Sequence, residues 1–151
     1  MKNILIIEDN PQHLADAKKF FASIEVYNFR FASSMYEAFP PADRNLADCF
    51  DVSKIQGYAG VISDFHFPER VGGPEFQLGV AIAWAGSARS VPVVIVSDQE
   101  RHNGSVDWFA SLLFGFDSPS VRTYVKTCMG TKDGKKRWDR AWRDLVQAME
   151  R

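Results

Sequence analysis

Several side chains able to do chemistry stand at the ends of short apolar runs. Glu8 and Asp9 follow Ile4-Leu5-Ile6-Ile7, and Asp64 follows Gly60-Val61-Ile62-Ser63. Ser97 and Asp98 follow Val93-Val94-Ile95-Val96, and Lys126 follows the run from Val121 to Val125. Neighbouring carboxylates repel one another unless a cation joins them, and their hard oxygens suit Mg²⁺. A carboxylate beside a divalent cation, a hydroxyl and an ammonium group is equipped for phosphoryl transfer: the cations neutralise the phosphoryl oxygens while the carboxylate attacks. Taken singly, each residue has a plainer reading. Glu8-Asp9 could cap a helix, Asp64 could sit in a turn, and Lys126 could be a solvated cation. Their joint placement at four strand ends is what points to one site.

The elements that would position them alternate along the chain. The four-residue run at Ile4–Ile7 is apolar on both faces, as a buried parallel strand requires. Asn10-Pro11 reads as an N-cap and first helical residue, followed by a stripe of Leu14, Ala17, Phe21 and Ile24. Tyr27, Phe29 and Phe31 alternate as a second strand. Ser34-Met35-Tyr36-Glu37 fits a capping box, and Pro40-Pro41 ends that helix early. The third strand precedes Asp64, and residues 65–73 form a loop broken by Pro68, Gly72 and Gly73. A helix is expected over residues 74–85, a fourth strand over 93–96, and a helix capped by Ser105 that carries Trp108, Phe109, Leu112 and Leu113. A fifth strand is expected over 121–125, then a polar loop over 130–136. Trp138, Ala141, Trp142, Leu145 and Met149 recur at helical spacing in a last helix. Five strands alternating with five helices imply an α/β fold: a doubly wound parallel sheet in the order 2-1-3-4-5, helices on both faces. In such a sheet, sites form at the carboxyl ends of the strands.

This pattern resembles the receiver domain of two-component response regulators, along nearly the whole chain. The resemblance is carried by Ile6-Ile7-Glu8-Asp9-Asn10, by Val61-Ile62-Ser63-Asp64-Phe65-His66-Phe67-Pro68, by Val93–Ser97 and by Tyr124-Val125-Lys126. It implies a flavodoxin-like fold and Mg²⁺-dependent phosphoryl transfer to Asp64 from a histidine kinase or phosphotransfer protein. Asp9 and Asp64 would hold the metal through carboxylates, His66 through its backbone carbonyl, and Glu8 through water. Ser97 would bind a phosphoryl oxygen and Lys126 would pair with it. Output would pass to a protein partner at the face of helix four, strand five and helix five, and a homodimer is left open. The expectation is a single domain over 1–151, with an insertion around 40–58 and no output domain. Its only chemistry would be its own phosphorylation and dephosphorylation.

The chain departs from the family pattern at several points. Asp64 stands 55 positions after Asp9, and Lys126 stands 29 after Ser97; both spacings are long. Thr127 replaces the usual proline, Thr123 stands where the switch aromatic is expected, and Asp98 replaces a small residue. These departures keep a second reading open, a pseudo-receiver acting as a phosphorylation-independent interaction module. A third, a small Mg²⁺-dependent phosphohydrolase using Asp64 with His66 as acid or base, lacks any legible substrate pocket.

Composition excludes other classes. Lys and Arg total 18 against 19 for Asp and Glu, a net charge of -1, which disfavours a nucleic-acid-coating protein. The dense basic run Lys132, Lys135, Lys136 and Arg137 reads as a solvated loop. No apolar run approaches the ~20 residues that span a bilayer, and the first residues turn acidic where a signal peptide stays apolar. Cys49 and Cys128 share no metal-ligand spacing and suit a reducing cytoplasm, the expected location.

Overall fold

The computed structural model describes residues 1–41, 50–98 and 119–151. Its centre is a parallel sheet of five strands: β1 (Lys2–Ile7), β2 (Tyr27–Ala32), β3 (Gly60–Asp64), β6 (Val93–Ser97) and β7 (Val125–Met129). They lie in the spatial order β2-β1-β3-β6-β7, the doubly wound order expected from the alternation of elements. Chain order reverses between β1 and β3, which opens a crevice at their carboxyl ends.

Side chains alternate across this sheet and divide the core in two. Leu5, Ile7, Val61, Val93 and Ile95 face one layer. Ile4, Ile6, Ile62, Val94 and Val96 face the other. Burying each such side chain contributes ~1.5–3 kcal/mol. The first layer is covered by α2 (Met35–Ala38), a 3-10 turn (Val52–Gly57), α3 (Gly79–Ala88) and α4 (Pro119–Tyr124). The second is covered by α1 (Pro11–Phe21) and α5 (Trp138–Met149). On α5, Trp138, Ala141, Leu145 and Ala148 are buried. Trp142 is half-buried against Phe21, Tyr27 and Phe29, with ring centroids 5.8, 5.1 and 5.5 Å away.

Local chemistry sets the helix starts. Asn10 Oδ1 accepts from Gln12 N at 2.9 Å and His13 N at 3.2 Å, with Pro11 at the first helical position. Ser34 Oγ accepts from Glu37 N at 3.1 Å, and the Glu37 carboxylate turns back to Ser33 N at 3.0 Å rather than to Ser34. The second half of that capping box is therefore displaced by one residue.

Two segments differ from the sequence expectation. The run Val121–Val125 is not a strand: residues up to Tyr124 close a short helix, and β7 begins at Val125. Val121 and Val125, both buried, stand four apart, a spacing that serves a helix end as well as a strand. Residues 74–78 are also not helical. Glu75-Phe76 forms β5, paired with Phe67-Pro68 (β4), and α3 starts only at Gly79. The helix expected after Ser105 lies outside the described residues, as does Cys49. No helix among the described residues is long and apolar enough to cross a membrane.

The polar stretch after β7 is a hairpin, not an open loop. Thr131-Lys132 (β8) pairs with Lys135-Lys136 (β9), Thr131 opposite Lys136. The turn residues Asp133 and Gly134 have φ of 54° and 74°. Two consecutive positive φ values are what a two-residue hairpin turn of the mirror-image kind requires, and Asp-Gly supplies them at low cost.

Candidate functional site

Glu8, Asp9 and Asp64 converge where the strand order reverses. β1 pairs with β3, Ile7 beside Ser63, so the residues that follow are neighbours. One oxygen from each of the three carboxylates lies within 4.8 Å of the others. Glu8 is fully buried; its Oε1 accepts from Asn10 N at 3.0 Å. Asp64 Oδ1 accepts from Phe65 N at 2.8 Å, which holds the carboxylate over the end of its own strand.

The cation of the site is Lys136, not Lys126. Lys136 Nζ pairs with Glu8 Oε2, and lies 3.0 Å from Asp64 Oδ1. It is 4% exposed, so the basic run is not uniformly solvated. Lys135, its neighbour on β9, is exposed and sits 4.0 Å from Asp16 on α1. Period-two alternation in β9 thus sends one lysine outward and the next inward. Lys126 faces Val94 near the opposite end of β7, three pairs short of Ser97 and Met129. At ~3.3 Å per residue that is roughly 10 Å from the carboxyl edge. The expected pairing of Lys126 with a group on Asp64 therefore fails on register: the strand starts four residues later than its β-branched run suggested.

The remaining residues frame a cavity of about 140 Å³ above Asp64. His66 lines it and packs edge-on against Phe65, ring centroids 4.8 Å apart. Ser97 is buried at the end of β6, one position beyond Val96, which pairs with Asp64. Asp98, the residue after β6, is part of the wall, and its Oδ2 lies 3.3 Å from His13 Nε2. Glu75, from β5, is a fifth carboxyl in the wall, after Glu8, Asp9, Asp64 and Asp98. Neither Glu75 nor Lys136 was singled out by spacing. Asp133-Gly134 is a hairpin signal that could have exposed Lys136, whereas Glu75 reaches the site only through the β4–β5 pairing.

Five carboxyls against one ammonium leave a strained charge balance. Burial is the largest influence on Asp64 and holds its pKa well above the usual carboxylate range; Lys136 opposes this and Glu8 adds to it. Glu8 is also raised, by burial first, with Lys136 opposing. Glu75 is raised to about 7, mainly by the hydrogen bond it shares with Asp9, then by burial and by repulsion from Asp9 and Asp64. For Lys136, burial acts to lower the pKa, but Asp64 and Glu8 together outweigh it and the net shift is upward. An all-oxygen donor set that already holds a buried ammonium suits a hard divalent cation such as Mg²⁺.

Neither a family model nor a curated protein sequence matches the chain. Solved structures do. A receiver domain protein from Methanospirillum hungatei JF-1 superposes with a TM-score of 0.59 at 15% identity, over 99% of this chain and 94% of that one. The chain has the receiver fold. A sensor histidine kinase receiver domain from Pseudomonas aeruginosa PAO1, with a magnesium ion coordinated in its active site cleft, gives 0.59 at 13% identity, over 99% and 98%. A histidine kinase receiver domain from Syntrophus aciditrophicus gives 0.56 at 17%, over 99% and 91%. In all three the match spans nearly the full length of this chain.

Proposed function

We propose that this chain is a response-regulator receiver that accepts a phosphoryl group on Asp64 from the phosphohistidine of a histidine kinase or phosphotransfer protein. The observation that carries the reading is the meeting of Glu8, Asp9 and Asp64 with Lys136 at the carboxyl edge of a receiver-type sheet. An Asp64 oxygen attacks the phosphorus, the new O–P bond forms, and the P–N bond to the donor imidazole breaks. The leaving imidazole takes up a proton, because its neutral form is the better leaving group. Lys136 then transfers its charge from the Asp64 carboxylate to the phosphoryl oxygens, and Ser97 offers a hydroxyl from the neighbouring strand. Asp9, Asp64 and the His66 backbone carbonyl would hold Mg²⁺, with Glu8 behind them. The ion would supply charge neutralisation for the incoming dianion. Signalling would follow through protein contacts, part of the face being β7 and α5.

Incubation with Mg²⁺ and a small phosphodonor such as acetyl phosphate, read by intact mass, tests this. The expected result is one phosphoryl adduct that Asp64→Asn abolishes. Labelling that persists in that variant would move the acceptor elsewhere. No labelling would favour the phosphorylation-independent interaction module, and multiple turnover of the donor a phosphohydrolase.

A further inference from the structure

Glu75 reaches the cavity over Asp64 from outside the main sheet. The chain leaves Asp64 through Phe65 and His66 and runs out along β4. It turns at Gly72 and Gly73, where Gly73 N donates to Arg70 O at 2.9 Å, and returns as β5 with Glu75 opposite Pro68. Asp64 is buried on the floor of the cavity, whereas Glu75 is an exposed residue at its rim. The Glu75 carboxyl shares a hydrogen bond with Asp9, which turns it inward over the site. Lys136, the ammonium of the cavity, is committed to Glu8 and Asp64 on the inner side.

Phosphoryl transfer constrains what can stand at that rim. The attacking and leaving groups lie roughly in line across phosphorus. With Asp64 attacking from the floor, the leaving group departs towards the mouth, where Glu75 stands. A carboxylate there repels a group that leaves as an anion. It accepts a hydrogen bond from a group that carries N–H and leaves neutral. Resting on the phosphoacceptor reading, we infer that Glu75 is a specificity-determining residue: it favours phosphodonors whose leaving atom is a protonated nitrogen over donors that leave as a carboxylate.

Two small donors separate these cases. Near neutral pH, phosphoramidate carries an ammonium on its leaving nitrogen. An Asp64 oxygen bonds to phosphorus, the P–N bond breaks with its electron pair passing to nitrogen, and ammonia leaves. With acetyl phosphate the same O–P bond forms, the P–O bond to the acetyl group breaks, and acetate leaves with the negative charge. Glu75→Gln keeps the side-chain length and an N–H for Asp9 but removes the charge. It should raise the rate with acetyl phosphate about fivefold, the rate equivalent of ~1 kcal/mol for a partly exposed charge pair. The rate with phosphoramidate should stay the same or fall. Glu69→Gln makes the same charge change at an exposed residue of the β4–β5 turn, outside the cavity wall, and should leave the ratio of the two rates unchanged.

The experiment measures initial rates of adduct formation by intact mass with each donor, at saturating Mg²⁺, pH 7.5 and constant ionic strength, for wild type and the two variants. A rate ratio in Glu75→Gln equal to that of wild type would overturn the inference, whether both rates change alike, as a merely structural role requires, or neither changes. So would a shift of the same size in Glu69→Gln, which would assign the effect to the charge of the whole turn. Wild type that takes label from neither donor would overturn the phosphoacceptor reading itself, and this inference with it. Wild type that labels with both donors while Glu75→Gln favours acetyl phosphate no more than wild type does would overturn the inference alone.

Discussion

Lys136 sits between Glu8 and Asp64 with almost no access to water, and removing it would leave two desolvated carboxyls without their cation. Breaking a buried pair in this way costs ~3–5 kcal/mol, unless the orphaned acids recover some of it by protonating. Lys136→Met is therefore expected to destabilise the protein by about 3 kcal/mol in EDTA at neutral pH and to suppress the adduct at Asp64. Lys126→Met, on the far end of β7, should leave labelling unchanged. Denaturant melts and intact-mass labelling of the two variants side by side decide which lysine serves the site. Asp64 itself gives a pH signature. Its folded pKa is raised, chiefly by burial, so its charged form disfavours folding. That cost is absent below the unfolded pKa of ~4, grows as pH rises, and is complete above the folded pKa. In EDTA, Asp64→Asn should thus raise the melting temperature at pH 8 and have little effect near pH 4. A variant that melts lower at pH 8 would mean that the Lys136 pair outweighs the burial cost.

The elements show which parts of the site could be read from sequence and which could not. The carboxylates were legible because each follows a buried apolar run, and the end of a parallel strand is where such a residue must emerge. The Asn10-Pro11 start of α1 was legible because its cap is local. The lysine was not, because the β-branched run at 121–125 supports a helix end as readily as a strand. Moving the strand by four residues carries Lys126 away from the edge and brings in the hairpin behind β7. Glu75 was hidden for a related reason: two-residue strands such as β4 and β5 leave no periodic trace. The start of α3 has a further constraint. A Cβ on Gly79 would lie 2.9 Å from both the Asp64 carbonyl oxygen and Phe65 Cα, while Gly79 N donates to Phe65 O at 3.0 Å. Glycine is thus required for α3 to rest on the strand end that carries Asp64. Gly79→Ala should cost ~1–3 kcal/mol by overpacking and lower the labelling rate by shifting Asp64. Gly57→Ala, where a Cβ meets nothing within 4 Å, should change stability by no more than ~0.5 kcal/mol. Equal effects from the two substitutions in chemical denaturation would show that the close approach at Gly79 is relieved elsewhere.

Across the whole molecule, the site ties the two ends of the chain together. Glu8 follows the first strand, Asp64 ends the central one, and Lys136 is 128 positions beyond its partner Glu8. A ligand bound here to the folded state alone acts on the global equilibrium, because unfolding separates every group that holds it. A divalent cation at 100 times its dissociation constant would then add ~2.7 kcal/mol. For a chain of this length that corresponds to a rise of roughly 5–10 °C in melting temperature. The expected result is a rise of that size between EDTA and saturating MgCl₂, at constant ionic strength so that screening of surface charge is matched. Asp9→Ala should remove most of it, since Asp9 is the most accessible of the three clustered carboxyls. The effect should also weaken as pH falls. The carboxyls must release protons to accept the ion, and the raised values at Asp64, Glu8 and Glu75 place that competition nearer neutrality than for ordinary carboxylates. A melting temperature indifferent to Mg²⁺ would mean that Lys136 already satisfies the acidic cluster. The carboxyl edge would then be a closed ion-pair network, and the chain an interaction module that needs no phosphoryl group.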